Sequence, residues 1–251
     1  MYGIKELKEH IRITENSVEC PVNGCSKKVE RQRNTFRRNE NFLCEEHGIY
    51  ISPSTFEYKN PSMNILWEDD LKLLEQILGH KRESRIARDN SEDALTFNVF
   101  RYFEQEPDLF QKWLLNVTGS IIEKPEIVYW SHQVDTGKVY PLLVQARREF
   151  GEMSNRGSEP DLIVCSEGHL IFIEAKFTSG NNTKPSKPEN VKKYLTGGKD
   201  WYDNVFIAKY KHIANEKRKY ELLRFWLLGT WMADQEGKQF HLVNLVLLLE
   251  K

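Results

Sequence analysis

The sequence predicts an α/β protein with a small amino-terminal module, and three observations support this fold class. Apolar residues recur at helical spacing between residues 67 and 117. Short apolar or alternating runs, separated by turn residues, follow between 126 and 177, which is typical of strands. Three of the four cysteines precede residue 45. The 251 residues therefore suit two domains, which we expect at 1–65 and 66–251.

The elements of the main domain are predicted in order along the chain. Trp67 begins a helix that runs to His80, Asn90 or Ser91 can cap a second helix, and Pro107 begins a third. The order of helices, strands, helices and strand predicts an α/β or α+β sandwich whose core is a mixed sheet flanked by helices. Strands are expected at 126–130, 139–146, 161–165 and 170–177, helical segments from 189 to about 233, and a last buried strand at 240–249.

Charge and hydropathy exclude several classes of protein. With 36 Lys and Arg against 37 Asp and Glu, the net charge of −1 excludes a protein that coats nucleic acid by bulk charge. The longest apolar stretches are much shorter than the roughly 18 residues that span a bilayer, so we expect no membrane partner. The first 20 residues are charged and lack an apolar core, so we expect no secretory signal and a cytoplasmic location.

The amino-terminal cysteines have metal-ligand spacing. Cys20, Cys25, Cys44 and His47 form the pattern C-x4-C-x18-C-x2-H. Two pairs of ligands on tight turns can bring three thiolates and an imidazole to the corners of a tetrahedron, which predicts a structural zinc ion. The alternative is a set of three buried free thiols with a surface histidine. The pattern resembles a treble-clef or ribbon zinc finger over roughly residues 15–60.

A basic segment lies inside this module. Between Lys27 and Arg38, basic residues alternate with Gln32, Asn34, Thr35 and Phe36. This composition suits contacts to phosphates and hydrogen bonds to bases. A solvated loop rich in charge explains the same composition equally well.

Two neighbouring predicted strands carry the candidate active-site residues. Asp161 follows a proline at the start of one strand, and Glu174 and Lys176 end the next. Side chains of a strand alternate between faces, so Glu174 and Lys176 share a face with Phe172, and Asp161 can lie beside Glu174. The alternative is a surface hairpin with a pair of opposite charges two residues apart.

This pattern resembles the PD-(D/E)xK nuclease superfamily, the restriction-endonuclease-like fold, over roughly residues 85–250. The resemblance implies a metal-dependent endodeoxyribonuclease of restriction or defence type that leaves 5′-phosphate and 3′-hydroxyl ends. It implies that Asp161, Glu174 and the Ala175 carbonyl bind Mg²⁺ or Mn²⁺. Lys176 would orient the attacking water, or deprotonate it if a neighbouring cation and partial burial make its own proton labile. The family's upstream helix commonly supplies a third acid, for which Glu92 is the best match and Asp93 the second.

Basic residues on either side of this motif would flank the DNA path, although each alone is an ordinary surface charge. They are Arg147, Arg148 and Arg156 before it, and Lys184, Lys187, Lys192 and Lys193 after it.

Three hypotheses therefore compete. The first is a DNA endonuclease whose zinc module helps to hold DNA, with a homodimer that could cut both strands. The second is a zinc-containing DNA-binding protein whose nuclease-like fold is not catalytic. The third is a nuclease subunit of a larger assembly in which the zinc module contacts protein. The abrupt end after the apolar run 245–249 would also suit a fragment of a longer protein.

Overall fold

A computed structural model describes residues 6–81, 84–153, 157–176, 180–187 and 189–246. Contacts within the chain divide it into two compact units. Met1–Glu75 and Glu83–Val99 form the first unit, and Gln76–Arg82 and Phe100–Lys251 form the second. Within the described residues, no helix combines the length and the apolar character that a membrane span needs.

The amino-terminal part of the first unit contains two small antiparallel sheets. A hairpin pairs β1 (Ser17–Glu19) with β2 (Lys28–Glu30). A three-stranded meander pairs β3 (Leu43–Cys44), β4 (Ile49–Ile51) and β5 (Phe56–Tyr58). Their small core contains Val18, Ile49 and Ile51 beside the three cysteines.

Three helices follow, as the sequence predicted. They are α1 (Leu71–His80), α2 (Glu92–Gln105) and α3 (Pro107–Thr118). The Ser91 hydroxyl accepts a hydrogen bond of 2.9 Å from the Ala94 N–H, so Ser91 caps α2. Gly119 ends α3 in the left-handed conformation, with φ of 72°, and its N–H donates to the Leu115 carbonyl.

The second unit is built on a six-stranded mixed sheet. Its strands are β6 (Glu126–Tyr129), β7 (His132–Gln133), β8 (Lys138–Val139), β9 (Leu162–Cys165), β10 (His169–Lys176) and β11 (Gln239–Val246). They lie in the order β11-β10-β9-β6-β7-β8, and only the pair β10–β11 is parallel among the described strands. Because β10 is longer than β9, its last three residues extend beyond their shared ladder.

Helices cover both faces of this sheet. The face that carries Val128, Ile163 and Phe172 packs against α4 (Pro141–Glu149), α5 (Glu189–Val205) and α6 (Tyr220–Glu236). On the opposite face, the Tyr129 hydroxyl donates a hydrogen bond of 2.6 Å to Glu104 of α2. The fold class is therefore mixed α/β, as predicted.

Two sequence-based predictions about these elements are wrong. Only Val139 of the predicted strand 139–146 lies in a strand, because Pro141 begins helix α4 instead. A continuous apolar run fits a strand or a buried helix, and here Leu143, Ala146 and Phe150 bury one helical face. The predicted last strand exists, but it is half-buried or exposed over its described residues, because β11 lies at the sheet edge. Its predicted residues 247–249 lie outside the described part of the chain.

Candidate active site and metal centre

The ends of β9 and β10 bring the predicted acids together. Leu162 pairs with Ile173 in the antiparallel ladder, so Asp161 and Glu174 occupy the next positions of the same register. Both side chains then point to the face of the sheet that α6 covers, the face of Phe172. The negative charge of Asp161 also acts on Glu174.

Asp161 is held by hydrogen bonds to both carboxylate oxygens. The Ala175 N–H donates to Oδ2 at 2.8 Å, and the Trp130 indole N–H donates to Oδ1 at 3.1 Å. The Trp130 backbone N–H also donates to the Asp161 carbonyl at 3.0 Å. The Lys81 ammonium lies 3.8 Å from the centroid of the Trp130 ring. Sequence reasoning missed Trp130, whose only sequence signal is its position at the end of a predicted strand.

The buried Glu174 and the half-buried Lys176 form a pair that has a third partner. The Lys176 ammonium contacts the Glu174 carboxylate and lies 3.9 Å from Glu221, in the first turn of α6. Glu174 is only 3% exposed. Burial, followed by the charges of Asp161 and Glu221, raises the pKa of Glu174 well above its ordinary value. Burial alone would lower the pKa of Lys176, but Glu174 and Glu221 raise it, so its ammonium stays charged.

The Ala175 carbonyl faces the same side as Asp161. In an antiparallel ladder the N–H and C=O of one residue face the same neighbouring strand. Since the Ala175 N–H donates to Asp161, its carbonyl lies on that side, beyond the last pair of β9. On the β11 side of β10, Asn244 pairs with Glu174 and accepts a hydrogen bond from the Asn181 side chain. The side-chain oxygen of Asn181 is buried and has no hydrogen-bond partner in the described structure.

Ser158 is held from two sides, three residues before Asp161. Glu152 accepts hydrogen bonds from the Ser158 N–H at 2.5 Å and the Ser158 hydroxyl at 2.6 Å. The Arg147 guanidinium donates to the Ser158 carbonyl from Nε at 2.9 Å and from Nη2 at 2.6 Å. All three residues are buried, so the segment that leads into Asp161 starts from a fixed point.

Arg147 therefore does not flank the DNA path as an exposed charge. It is only 8% exposed, and it also donates to the Ser131 hydroxyl at 3.1 Å, next to Trp130. The Arg147 guanidinium thus links the segment that leads into Asp161 with the segment that contains Trp130. Gly157 makes this possible, because a Cβ there would lie 2.6 Å from the Arg147 side chain. Of the other predicted basic residues, Arg148, Lys184, Lys187 and Lys192 are exposed, Lys193 is half-buried, and Arg156 lies outside the described residues.

The predicted zinc ligands converge in the first unit. Cys20 and Cys25 flank the turn of the β1–β2 hairpin, Cys44 ends β3, and His47 lies in the next turn. Their four ligand atoms all lie within 4.8 Å of one another. His47 Nδ1 lies 3.7 Å from Cys20 Sγ and 3.5 Å from Cys44 Sγ. Tetrahedral zinc with ordinary bond lengths requires about 3.6 Å between sulfur and nitrogen, so the cluster could hold a metal such as zinc.

Burial supports the need for a metal at this cluster. The three cysteines are buried, and burial raises the pKa of the Cys20 thiol to about 12 and also raises that of Cys44. A thiolate in this environment needs a cation beside it. In the described part of the chain, Cys20, Cys25, Cys44 and His47 form the only tight group of three or more such ligands. Asp161, Glu174 and Glu221 are therefore arranged more loosely than the cysteine cluster.

Glu92, the predicted third acid, is the first residue of α2. It is half-buried and belongs to the first unit. Its role at the site stays a prediction.

Comparison with known protein families places the chain in a family. Residues 27–245 match the model of a family described as Restriction Endonuclease associating with ARP. The matched range contains Asp161, Glu174, Lys176 and the Cys44–His47 pair, and it begins after Cys20 and Cys25. No curated protein and no solved structure gives a significant match.

Proposed function

The chain belongs to the family Restriction Endonuclease associating with ARP, and on that premise we propose that it is a metal-dependent endodeoxyribonuclease. It hydrolyses phosphodiester bonds of DNA and leaves 5′-phosphate and 3′-hydroxyl ends, in a restriction or defence role. The observation that supports the proposal is the meeting of Asp161, Glu174 and Lys176 at the ends of β9 and β10, which resembles a PD-(D/E)xK site.

The donor set suits a divalent cation. Asp161, Glu174 and the Ala175 carbonyl are hard oxygen ligands of the kind that Mg²⁺ and Mn²⁺ prefer. Glu174 is buried near two further carboxylates, those of Asp161 and Glu221, and Lys176 offsets only part of this negative charge. When bound, the cation would neutralise charge on the phosphate and lower the pKa of a bound water.

Lys176 acts in this proposal as a cation. Its two carboxylate neighbours, Glu174 and Glu221, favour its charged form. The ammonium would orient the attacking water and stabilise the negative charge that develops on the scissile phosphate. Hydrogen bonds from the Trp130 indole and the Ala175 N–H fix the orientation of the Asp161 carboxylate, which would bind the metal.

Three further parts complete the proposal. Glu92 is the third acid, as the resemblance to the nuclease superfamily implies. The cluster of Cys20, Cys25, Cys44 and His47 holds zinc and stabilises the amino-terminal module, which is too small to build a large core. DNA is the substrate that the family's name implies, and two copies of the chain would cut both strands.

The test is cleavage of supercoiled and linear DNA by the purified chain with Mg²⁺, with Mn²⁺ and with neither. Asp161→Ala and Glu174→Ala should each abolish metal-dependent cleavage, because each removes a proposed metal ligand. Glu167→Ala is the matched control, since Glu167 is an exposed acid in the β9–β10 turn. Undiminished cleavage by both site variants would show that catalysis occurs elsewhere.

One outcome would replace the proposal by another class of function. If the wild-type chain shifts DNA in a gel but cuts it with neither metal, the protein is a zinc-containing DNA-binding protein with a nuclease-like fold.

A further inference from the structure

The first unit contains a cavity of about 410 Å³ between the loop 31–36 and the turn 52–55, here called the module cavity. Pockets that bind small ligands commonly measure about 300–1,000 Å³. None of the ten residues that line the cavity is acidic, and two of them are arginines. Its size and charge therefore suit a small anionic ligand.

The walls of the module cavity are held in place by hydrogen bonds. Gln32 is buried, donates to the Ile51 carbonyl at 2.6 Å and accepts from the Arg37 N–H at 2.6 Å. The Ser52 hydroxyl donates to the Thr55 carbonyl at 2.9 Å and so closes the facing turn. Because one side chain ties the loop to the end of β4, the cavity is formed before any ligand arrives.

Arg31 and Arg33 are positioned without a neutralising partner. Arg31 donates to the Thr14 carbonyl at 3.1 Å, and Arg33 donates to the Glu15 carbonyl at 3.2 Å. A guanidinium has five N–H donors, so each arginine keeps most of its donors for another acceptor. Neither forms an ion pair with a carboxylate in the described structure, and both line the cavity.

Two other arginines of this unit are placed differently. Arg38 and Arg88 lie 2.5 Å and 3.6 Å from the carboxylate of the buried Glu57. Their charge is compensated inside the fold. The contrast separates the cavity arginines, Arg31 and Arg33, from basic residues that stabilise the module.

The remaining lining offers an aromatic ring and neutral polar groups. Phe36 lines the cavity, and the Arg88 guanidinium lies over its ring at 5.8 Å from the centroid. Asn34, Thr35 and Ser54 are exposed at the cavity and carry amide or hydroxyl groups that donate and accept. Cations, one aromatic face and neutral hydrogen-bonding groups together match a phosphate attached to a planar base.

We propose that the module cavity binds one nucleotide. Its phosphate lies against Arg31 and Arg33, its base packs on Phe36, and Asn34 and Thr35 contact the edge of the base. The nucleotide is either an unstacked nucleotide of a DNA strand or a free nucleotide, since both present the same chemistry. This site lies in the first unit and needs no hydrolysis, so it goes beyond the proposed nuclease activity.

The experiment uses the full chain with Asp161→Ala, so that it does not depend on cleavage. The first probe is each of the four deoxynucleoside 5′-monophosphates, measured by isothermal titration calorimetry. The second is a DNA duplex that contains 2-aminopurine, whose fluorescence reports unstacking. The variants are Arg31→Ala with Arg33→Ala, and Phe36→Leu. Lys59→Ala with Lys72→Ala is the matched control, because it removes the same charge from exposed positions of the first unit outside the cavity.

We expect at least one probe to bind, with affinity reduced about 10-fold or more by the arginine double variant and about 5-fold or more by Phe36→Leu. The lysine control should change the affinity for the same probe by less than about threefold. Binding of monophosphates identifies a free nucleotide as ligand, and a response of the duplex alone identifies DNA. Zinc content and circular dichroism check folding, and Phe36→Leu decides the outcome if the arginine variant does not fold. Failure of both probes to bind, or equal losses in the arginine and lysine variants, would overturn the proposal.

Discussion

Glu152→Gln tests how the segment before Asp161 is held in place. The Glu152 carboxylate accepts three hydrogen bonds, at 2.5 Å and 2.6 Å from Ser158 and at 2.5 Å from the Tyr194 hydroxyl. Glutamine has the same shape, but one of its terminal atoms is an NH₂ group, which only donates. An NH₂ group at the Oε1 position would force the Ser158 and Tyr194 hydroxyls to accept instead of donate, and one at the Oε2 position would face the Ser158 N–H; in either case the charged acceptor is lost.

The expected loss follows from these contacts. A hydrogen bond to a charged group contributes about 1.5–3 kcal/mol. The substitution also removes a negative charge near Arg224, whose Nε is buried without a hydrogen-bond partner in the described structure. We expect the free energy of unfolding of the second unit to fall by about 2–4 kcal/mol, which lowers its Tm by about 5–15 °C.

The assay is thermal unfolding at neutral pH, followed by circular dichroism and calorimetry. Glu149→Gln is the control, because Glu149 is an exposed acid at the end of α4 and its loss should change stability by less than about 0.5 kcal/mol. DNA cleavage, measured well below the Tm, should also slow in Glu152→Gln, since the Asp161 segment loses its anchor. A Tm for Glu152→Gln equal to that of the control would refute this account of Ser158.

Three further predictions concern the two sites. Lys176→Ala should slow single-turnover cleavage by about 10²–10⁴ while DNA still binds in a gel-shift assay, and an equal loss of binding would contradict its role in the transition state. Glu221→Gln should slow cleavage only about fivefold, because it removes one charge 3.9 Å from the Lys176 ammonium, and a loss as large as that of Lys176→Ala would instead make Glu221 a direct participant. Elemental analysis should find close to one zinc per chain, lost together with the stability of the amino-terminal module in Cys20→Ser or Cys44→Ser; absence of zinc and unchanged unfolding would show that the four ligands are misassigned.

Local patterns in the sequence were sufficient for most of the helices and strands. The spacing of apolar residues predicted α1, α2 and α3, and strand alternation placed Glu174 and Lys176 on the face of Phe172. These predictions hold because helical and strand periods are properties of the chain itself. The predicted strand 139–146 was wrong because this signal is missing there. A short run of consecutive apolar residues has no period that distinguishes a strand from a buried helix.

The sequence by itself determined the residue types and spacings that chemistry requires, namely the C-x4-C-x18-C-x2-H pattern and the paired acids with their lysine. Only the tertiary structure decided which distant residues complete the candidate active site at Asp161, Glu174 and Lys176. Glu221 reaches Lys176 from α6, and Trp130 reaches Asp161 from the end of β6, across 45 and 31 positions of the sequence. Arg147 looked like a surface charge, but its guanidinium is buried against the Ser158 carbonyl. Such contacts depend on how helices and strands pack, and no local period encodes that packing.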